Sequence, residues 1–159
     1  MSFESMLRGL NRKKVRFVVV GGVAAAAHGS SRVTNDLDIC YDAASNPNLV
    51  SLASLLASWN AYPRGVEPDL PFIMDDRTLH GAPILTLTTA EGDIDVMDRI
   101  AGVGEYLAVR RNSEKISALG VSFRVLDLPT LIKAKRAAGR PRDHDHLPEL
   151  EALLALRKG

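Results

Sequence analysis

Residues 18–42 read VVVGGVAAAAHGSSRVTNDLDICYD. Arg16 to Val20 is a short β-branched run closed by Gly21-Gly22, the pattern of a buried strand ending in a turn. The alanines between Val23 and His28 predict a helix beginning directly after the glycines. Gly29 to Asn35 is polar and predicts a loop. From Asp36 to Tyr41 the residues alternate, with Leu37, Ile39 and Tyr41 on one face of a strand and Asp36, Asp38 and Cys40 on the other. One face suits a core. The other carries two carboxylates side by side.

Aspartate is a poor strand former, so two within one strand call for a reason. Like charges on one face repel unless a cation sits between them. A hard divalent ion with oxygen ligands supplies that cation, and Mg²⁺ suits a few carboxylates together with substrate phosphates. A second pair, Asp93 and Asp95, is also spaced by two on a predicted strand. Asp95 lies inside the apolar run Ile94 and Val96 and is the favoured third ligand. Asp93 adjoins the turn at Gly92 and stays open as the alternative. Three carboxylates can hold two metal ions that act on the attacking and leaving oxygens of a phosphoryl transfer.

Gly21-Gly22 sits between a strand and a helix, where bare backbone can approach a phosphate and the helix start offers free N–H groups. In the following loop, Arg32 is a phosphate-contact candidate, with a solvated arginine as the alternative. Thr34 lies beside it, and His28 reads first as a histidine at a helix end. Lys133, Lys135, Arg136, Arg140 and Arg142 form a basic stretch. Lys135 and Arg140 are placed to reach a triphosphate or RNA backbone, although such runs more often form a solvated helix face. A second basic group, Arg12, Lys13, Lys14 and Arg16, precedes the first strand. Asp143 reads as a helix cap or as a partner of Lys135 or Arg140. His144 and His146 are two apart on a predicted helix and do not share a face for chelation.

The rest of the chain predicts helices over residues 2 to about 13 and from Asn46-Pro47 to about Asn60, and a loop over 61–71 with three prolines. A short helix precedes Gly81. Strands Ile84–Thr88 and Asp93–Met97 flank a turn at Ala90-Glu91-Gly92. Tyr106 to about Asn112 is helical or irregular, and Val121–Leu126 is a strand. A helix runs from Asp127 and Pro129 to a stop at Gly139, and a last one begins near Asp143. The expected architecture is α/β (α+β): one mixed β-sheet of about four to six strands flanked by helices. A single domain over residues 1–159 is expected.

Hydrophobic residues make up 46% of the chain, enough for a core, and the net charge of +1 implies no strongly charged partner at the level of the whole chain. Aromatics, at 5%, do not interleave with the basic groups, which argues against sequence-specific base stacking. A lone cysteine, Cys40, excludes an internal disulfide and fits a reducing cytoplasmic setting. No apolar run is long enough to span a bilayer, and no membrane association is expected.

Val20-Gly21-Gly22, thirteen intervening residues, then Asp36-Leu37-Asp38-Ile39 and the later strand carboxylate resemble the nucleotidyltransferase superfamily that includes DNA polymerase β. The wording GG-x-A-x-x-x-HG-x-x-R-x-T-x-DLDI, with KAKRAAGRPRDHDHLPEL near the C-terminus, is similar to the small bacterial branch near the AbiEii and MenT toxins. The resemblance covers roughly residues 16 to 40 and 84 to 150. It implies transfer of an NMP from an NTP to an acceptor hydroxyl on RNA, tRNA, protein or a small molecule, with release of pyrophosphate. Asp36, Asp38 and Asp95 would be catalytic and bind Mg²⁺ (or Mn²⁺), in a two-metal site. Gly21, Gly22, Arg32, Thr34, Lys135 and Arg140 would hold the nucleotide. A toxin–antitoxin partner is implied by the same branch. AbiEii-type toxins are usually longer, with an added helical domain for the acceptor, and 159 residues leave little room for one. The alternative is a module of the same fold that binds nucleotide, or regulates a partner, without chemistry.

Overall fold

The computed structural model describes residues 2–158. Helix α1 (Phe3–Arg12) starts at Ser2, whose hydroxyl accepts from the Ser5 amide at 3.0 Å, and it buries Met6, Leu7 and Leu10. Strand β1 (Phe17–Val20) is buried on both faces. Helix α2 (Gly21–Ala27) takes the two glycines into its first turn, so it begins two residues earlier than the alanine run predicts. Strand β2 (Asp36–Tyr41) follows, then α3 (Asn46–Ser58), capped by Ser45 with Pro47 in the first turn.

The remaining strands are β3 (Tyr62–Pro63), β4 (Ile84–Thr89), β5 (Gly92–Met97), β6 (Arg99–Ile100), β7 (Gly104–Glu105), β8 (Ser113–Ala118) and β9 (Val121–Leu126). The remaining helices are α4 (Asp76–His80), α5 (Tyr106–Arg111), α6 (Leu128–Ala138) and α7 (Pro141–Lys158). Asp127 caps α6 by accepting from the Thr130 amide at 2.9 Å, and Gly139 ends it in a left-handed conformation. Helix α7 starts at Pro141, two residues before the expected Asp143, because proline is well suited to a first helical turn.

A seven-stranded mixed sheet has the order β3-β4-β5-β2-β1-β9-β8, and β6 and β7 form a separate two-stranded ribbon. The sheet exceeds the expected size at its two edges. Strand β3 contains Pro63, which an edge tolerates because its missing N–H faces no neighbour. Strand β8, SEKISA, is polar, with Ile116 as its one large apolar side chain. Polar, charged edges of this kind protect a sheet against unwanted pairing and lack the apolar alternation that marks a strand in sequence.

Two cores flank the sheet. Helices α1, α3 and α4 cover one face, with Leu37, Ile39, Tyr41, Ile94 and Val96 contributed by the strands. Helices α5, α6 and α7 cover the other, over Val18, Val20, Cys40 and Leu126. Helix α2 gives Val23 and Ala24 to the first core and Ala25 to the second. Among the described residues, no helix is long and apolar enough to cross a membrane.

Candidate functional site

Strand β1 runs antiparallel to β2, which sets Val20 opposite Asp38 and brings the glycine turn to the start of β2. Strand β5 runs parallel to β2, with Asp36 beside Asp93 and Asp38 beside Asp95. Paired residues on neighbouring strands share a face, so four carboxylates lie in a two-by-two array on the α6–α7 side. Oxygens of Asp36, Asp38 and Asp95 lie within 4.8 Å of one another. Asp93 stands apart from that triplet, with Oδ2 3.5 Å from Arg64 Nε.

Arg64 is the residue that the sequence reading missed. It follows the edge strand β3, and its amide donates to Thr86 O at 2.9 Å. Thr86 pairs with Asp95 across β4 and β5. The row Arg64, Thr86, Asp95, Asp38, Val20 therefore runs from the end of β3 across four strands on one face. Arg64 Nη2 donates to Asp95 Oδ1 at 2.8 Å and to Leu87 O at 2.7 Å, while Nη1 lies 3.9 Å from Asp36 Oδ2. The one signal in sequence would have been the pairing of Tyr62-Pro63 with β4, and proline conceals it.

Burial first, then the charges of Asp36 and Asp95, push the Asp38 carboxyl up to about 8. Burial also raises Asp95, with Arg64 opposing. Asp38 Oδ1 is buried with no hydrogen-bond partner among the described residues. A buried, unsatisfied carboxylate oxygen beside two others is an expensive arrangement in water alone. Hard oxygen donors at this spacing fit a divalent cation such as Mg²⁺ or Mn²⁺.

The glycine pair fits the site through its lack of side chains. Gly21 has φ +65°, and a Cβ there would lie 1.9 Å from Asp38 Oδ2. A Cβ on Gly22 would meet Thr34 Oγ1 at 2.7 Å. Both side chains thus close over bare backbone, and Thr34 Oγ1 donates to Asp36 O at 3.1 Å.

A cleft of about 510 Å³ opens over the carboxylates. Every residue predicted from sequence to touch metal or nucleotide lines it: Gly21, Gly22, Arg32, Thr34, Asp36, Asp38, Asp95, Lys135 and Arg140. Asp143 is fully buried and pairs with both Arg140 (2.7 Å) and Lys135 (3.4 Å). Burial opposes its ionisation, but the hydrogen bonds and charges of Arg140 and Lys135 prevail and hold its carboxyl below the usual range. The end of α6 and the start of α7 are thereby locked with two cations at the cleft. On the loop before β2, Glu149 of α7 accepts from Ser30 Oγ, Ser31 N and Ser31 Oγ, which pins the segment carrying Arg32. Those bonds hold its carboxyl down at about 2. His146 Nε2 meets both Ser30 Oγ and Glu149 Oε1, so it belongs to this structural clasp. His28 is structural too: Nε2 donates to Leu126 O at 2.7 Å, and Nδ1 accepts from Arg157 at 2.8 Å.

No protein-family model matches the sequence, and no curated protein matches it at a significant level. In three dimensions the chain is similar to a solved structure from Thermotoga maritima, described as that of a "putative nucleotidyltransferase". The TM-score is 0.56, with 94% of each chain covered at 17% sequence identity. The chain has a nucleotidyltransferase-like fold. In this fold the three clustered carboxylates could bind a metal.

Removing Arg64 tests its electrostatic part in that cluster. Arg64→Ala withdraws a positive charge from Asp95 and Asp36, and it is expected to tighten Mn²⁺ binding several-fold in calorimetric titration. Weaker binding would instead make Arg64 the group that orients Asp95.

Proposed function

We propose that this cleft transfers an NMP from an NTP to an acceptor hydroxyl. The observation that carries the proposal is the carboxylate triplet with its unsatisfied Asp38 Oδ1, facing a cleft edged by cations. Asp36, Asp38 and Asp95 hold Mg²⁺ or Mn²⁺, in a site of two ions. When bound, the metal neutralises phosphate charge and lowers the pKa of the attacking oxygen. Gly21 and Gly22 lie against the triphosphate, with Thr34 at the same turn. Arg32, Lys135 and Arg140 neutralise its charge, and Asp143 holds the last two in place. The acceptor oxygen bonds to the α-phosphorus as the α–β phosphoanhydride bond breaks. Pyrophosphate leaves with that electron pair, and the acceptor proton passes to Asp95.

The acceptor is RNA (including tRNA), a protein or a small molecule. The likeness of the Gly-Gly, DLDI and Lys-Arg-Asp segments to the AbiEii and MenT branch supports a toxin–antitoxin setting in the cytoplasm. Incubation with labelled NTP, Mg²⁺ and separate pools of total tRNA and total protein is expected to label one pool. Asp36→Ala with Asp38→Ala is expected to abolish the labelling. Unchanged labelling in that double variant would sink the proposal.

One observation favours a second reading, nucleotide binding without transfer. Arg64 already neutralises Asp95 at 2.8 Å. On that reading NTP raises the melting temperature, yet no pyrophosphate forms with any acceptor pool.

A further inference from the structure

A second groove, of about 690 Å³, opens where α5, β8 and β9 meet the segment joining α1 to β1, and its lining draws on both faces of the sheet, with Val15, Phe17 and Phe123 from the first core and Tyr106 from the second. Arg16, Arg110, Lys115 and Arg124 line it, and no acidic side chain does. The whole chain carries a net charge of only +1, so this is a strong local segregation of positive charge. Arg12, Lys13 and Lys14 continue it on the segment between Asn11 and Val15, both of which line the groove. They are exposed, and no ion pair involves them among the described residues.

Two features say that the groove is not an ordinary solvated face. Lys115 and Arg124 are directly paired across β8 and β9, which puts like charges on the same side of the ladder. Such pairs destabilise a sheet. Among the described residues no carboxylate lies within ion-pair distance of Lys115, Arg110 or Arg124, and Arg124 is held by Ser113 instead. The second feature is Arg16, whose guanidinium lies 5.6 Å from the centre of the Tyr106 ring while pairing with Asp42 at 3.5 Å. Stacking and the ion pair hold this cation in place at the groove wall.

We infer that this groove binds the phosphodiester backbone of a nucleic acid. The cations come from four elements, the start of β1, α5, β8 and β9, a spread that exceeds the reach of a single phosphate and suits a chain of them. Leu107 is the one large exposed apolar side chain in the groove, too little apolar surface for insertion into a membrane. The inference extends the nucleotidyl-transfer reading, since a nucleic acid held here would be an acceptor class for the cleft, but binding in the groove needs no chemistry in the cleft.

The test uses the full chain, a fluorescein-labelled oligouridine and a labelled DNA duplex, read by anisotropy from about 50 to about 200 mM salt. At least one of the two probes is expected to bind. With four phosphates neutralised, log K should fall against log salt with a slope of about −3 for the single strand. Lys115→Glu with Arg110→Glu, both at exposed positions, is expected to weaken binding at least tenfold and to flatten the single-strand slope by about 1.4. The same variant should keep the wild-type thermal shift with NTP and Mn²⁺. A second variant, Lys115→Thr, removes the like-charge pair and should melt higher than wild type at low salt, a gain that added nucleic acid erases. Unchanged binding in the double variant would overturn the inference. So would association with phosphatidylglycerol vesicles but with neither nucleic acid. Absence of any NTP effect on the wild type, with nucleic-acid binding still lost in the variant, would overturn the transfer reading and leave the groove standing.

Discussion

Asp38→Asn is expected to make the metal-free protein more stable while abolishing the proposed nucleotidyl transfer. Asp38 is buried beside two other carboxylates, one of its oxygens has no partner, and burial with the charges of Asp36 and Asp95 pushes its carboxyl up to about 8. The folded form therefore holds a proton that the unfolded chain has released. Stability from this group is fully present below about pH 4 and is lost as pH rises toward 8. An amide at this position carries no charge and donates to the neighbouring carboxylates, so it avoids that loss. Melting curves of wild type and variant, without divalent ions, should diverge as pH increases from 5 toward 8 and run parallel above it. Other groups shift the opposite way, Asp143 and Glu149 among them, so the difference between the two proteins is the quantity to follow. Transfer should fall by at least about 100-fold, because losing even a residue that supports a metal ligand commonly costs 10–100-fold. A variant that melts lower than wild type at pH 8 would show that the carboxylates are not mutually strained. Stability given up at a functional site is a frequent pattern in enzymes.

Gly21→Ala is expected to unfold the site from the other side. Its φ of +65° is unfavourable for any residue with a Cβ, at about 1–2 kcal/mol for the backbone alone. That figure corresponds to a fall in melting temperature of about 2–8 °C for a chain of this size. The larger consequence is local. The new methyl would sit 1.9 Å from Asp38 Oδ2, so Asp38 must rotate out of the triplet or the start of α2 must lift. Loss of the Mn²⁺-induced thermal shift should therefore exceed what the stability change explains. Gly22→Ala separates the two effects. Gly22 has no positive φ, and its Cβ would press on Thr34, so metal binding should survive while nucleotide binding weakens.

The chemistry-bearing residues were legible along the chain for local reasons. Asp36 and Asp38 alternate with Leu37 and Ile39, and period two alone places them on one face. Asp127 and Gly139 bracket α6 through a cap and a left-handed stop. Four inner strands of the large sheet, β5, β2, β1 and β9, each carry enough buried apolar residues to announce themselves, and β4, with Leu87 alone buried, shows through its alternation of Ile84, Leu85 and Leu87 with threonines beside the turn to β5. What escaped in the large sheet lies at its edges, β3 with its proline and β8 with its serines and charges, and the two-residue strands of the β6–β7 ribbon are too short to show a period. An edge strand needs one partner and one half-buried face, so its sequence carries little periodicity.

Sequence by itself determined which residues could share a face and where helices begin and end, because those follow from backbone geometry over a few residues. Only the tertiary structure decided register between distant strands. Parallel pairing of β2 with β5 brings Asp95 beside Asp38, and the return of β3 along β4 delivers Arg64 to the same row. The facing of Lys115 and Arg124 is likewise a matter of register, as is the joint burial of Asp143 with Lys135 and Arg140 a matter of packing. Each of these meetings depends on contacts between separate elements, which no local pattern encodes.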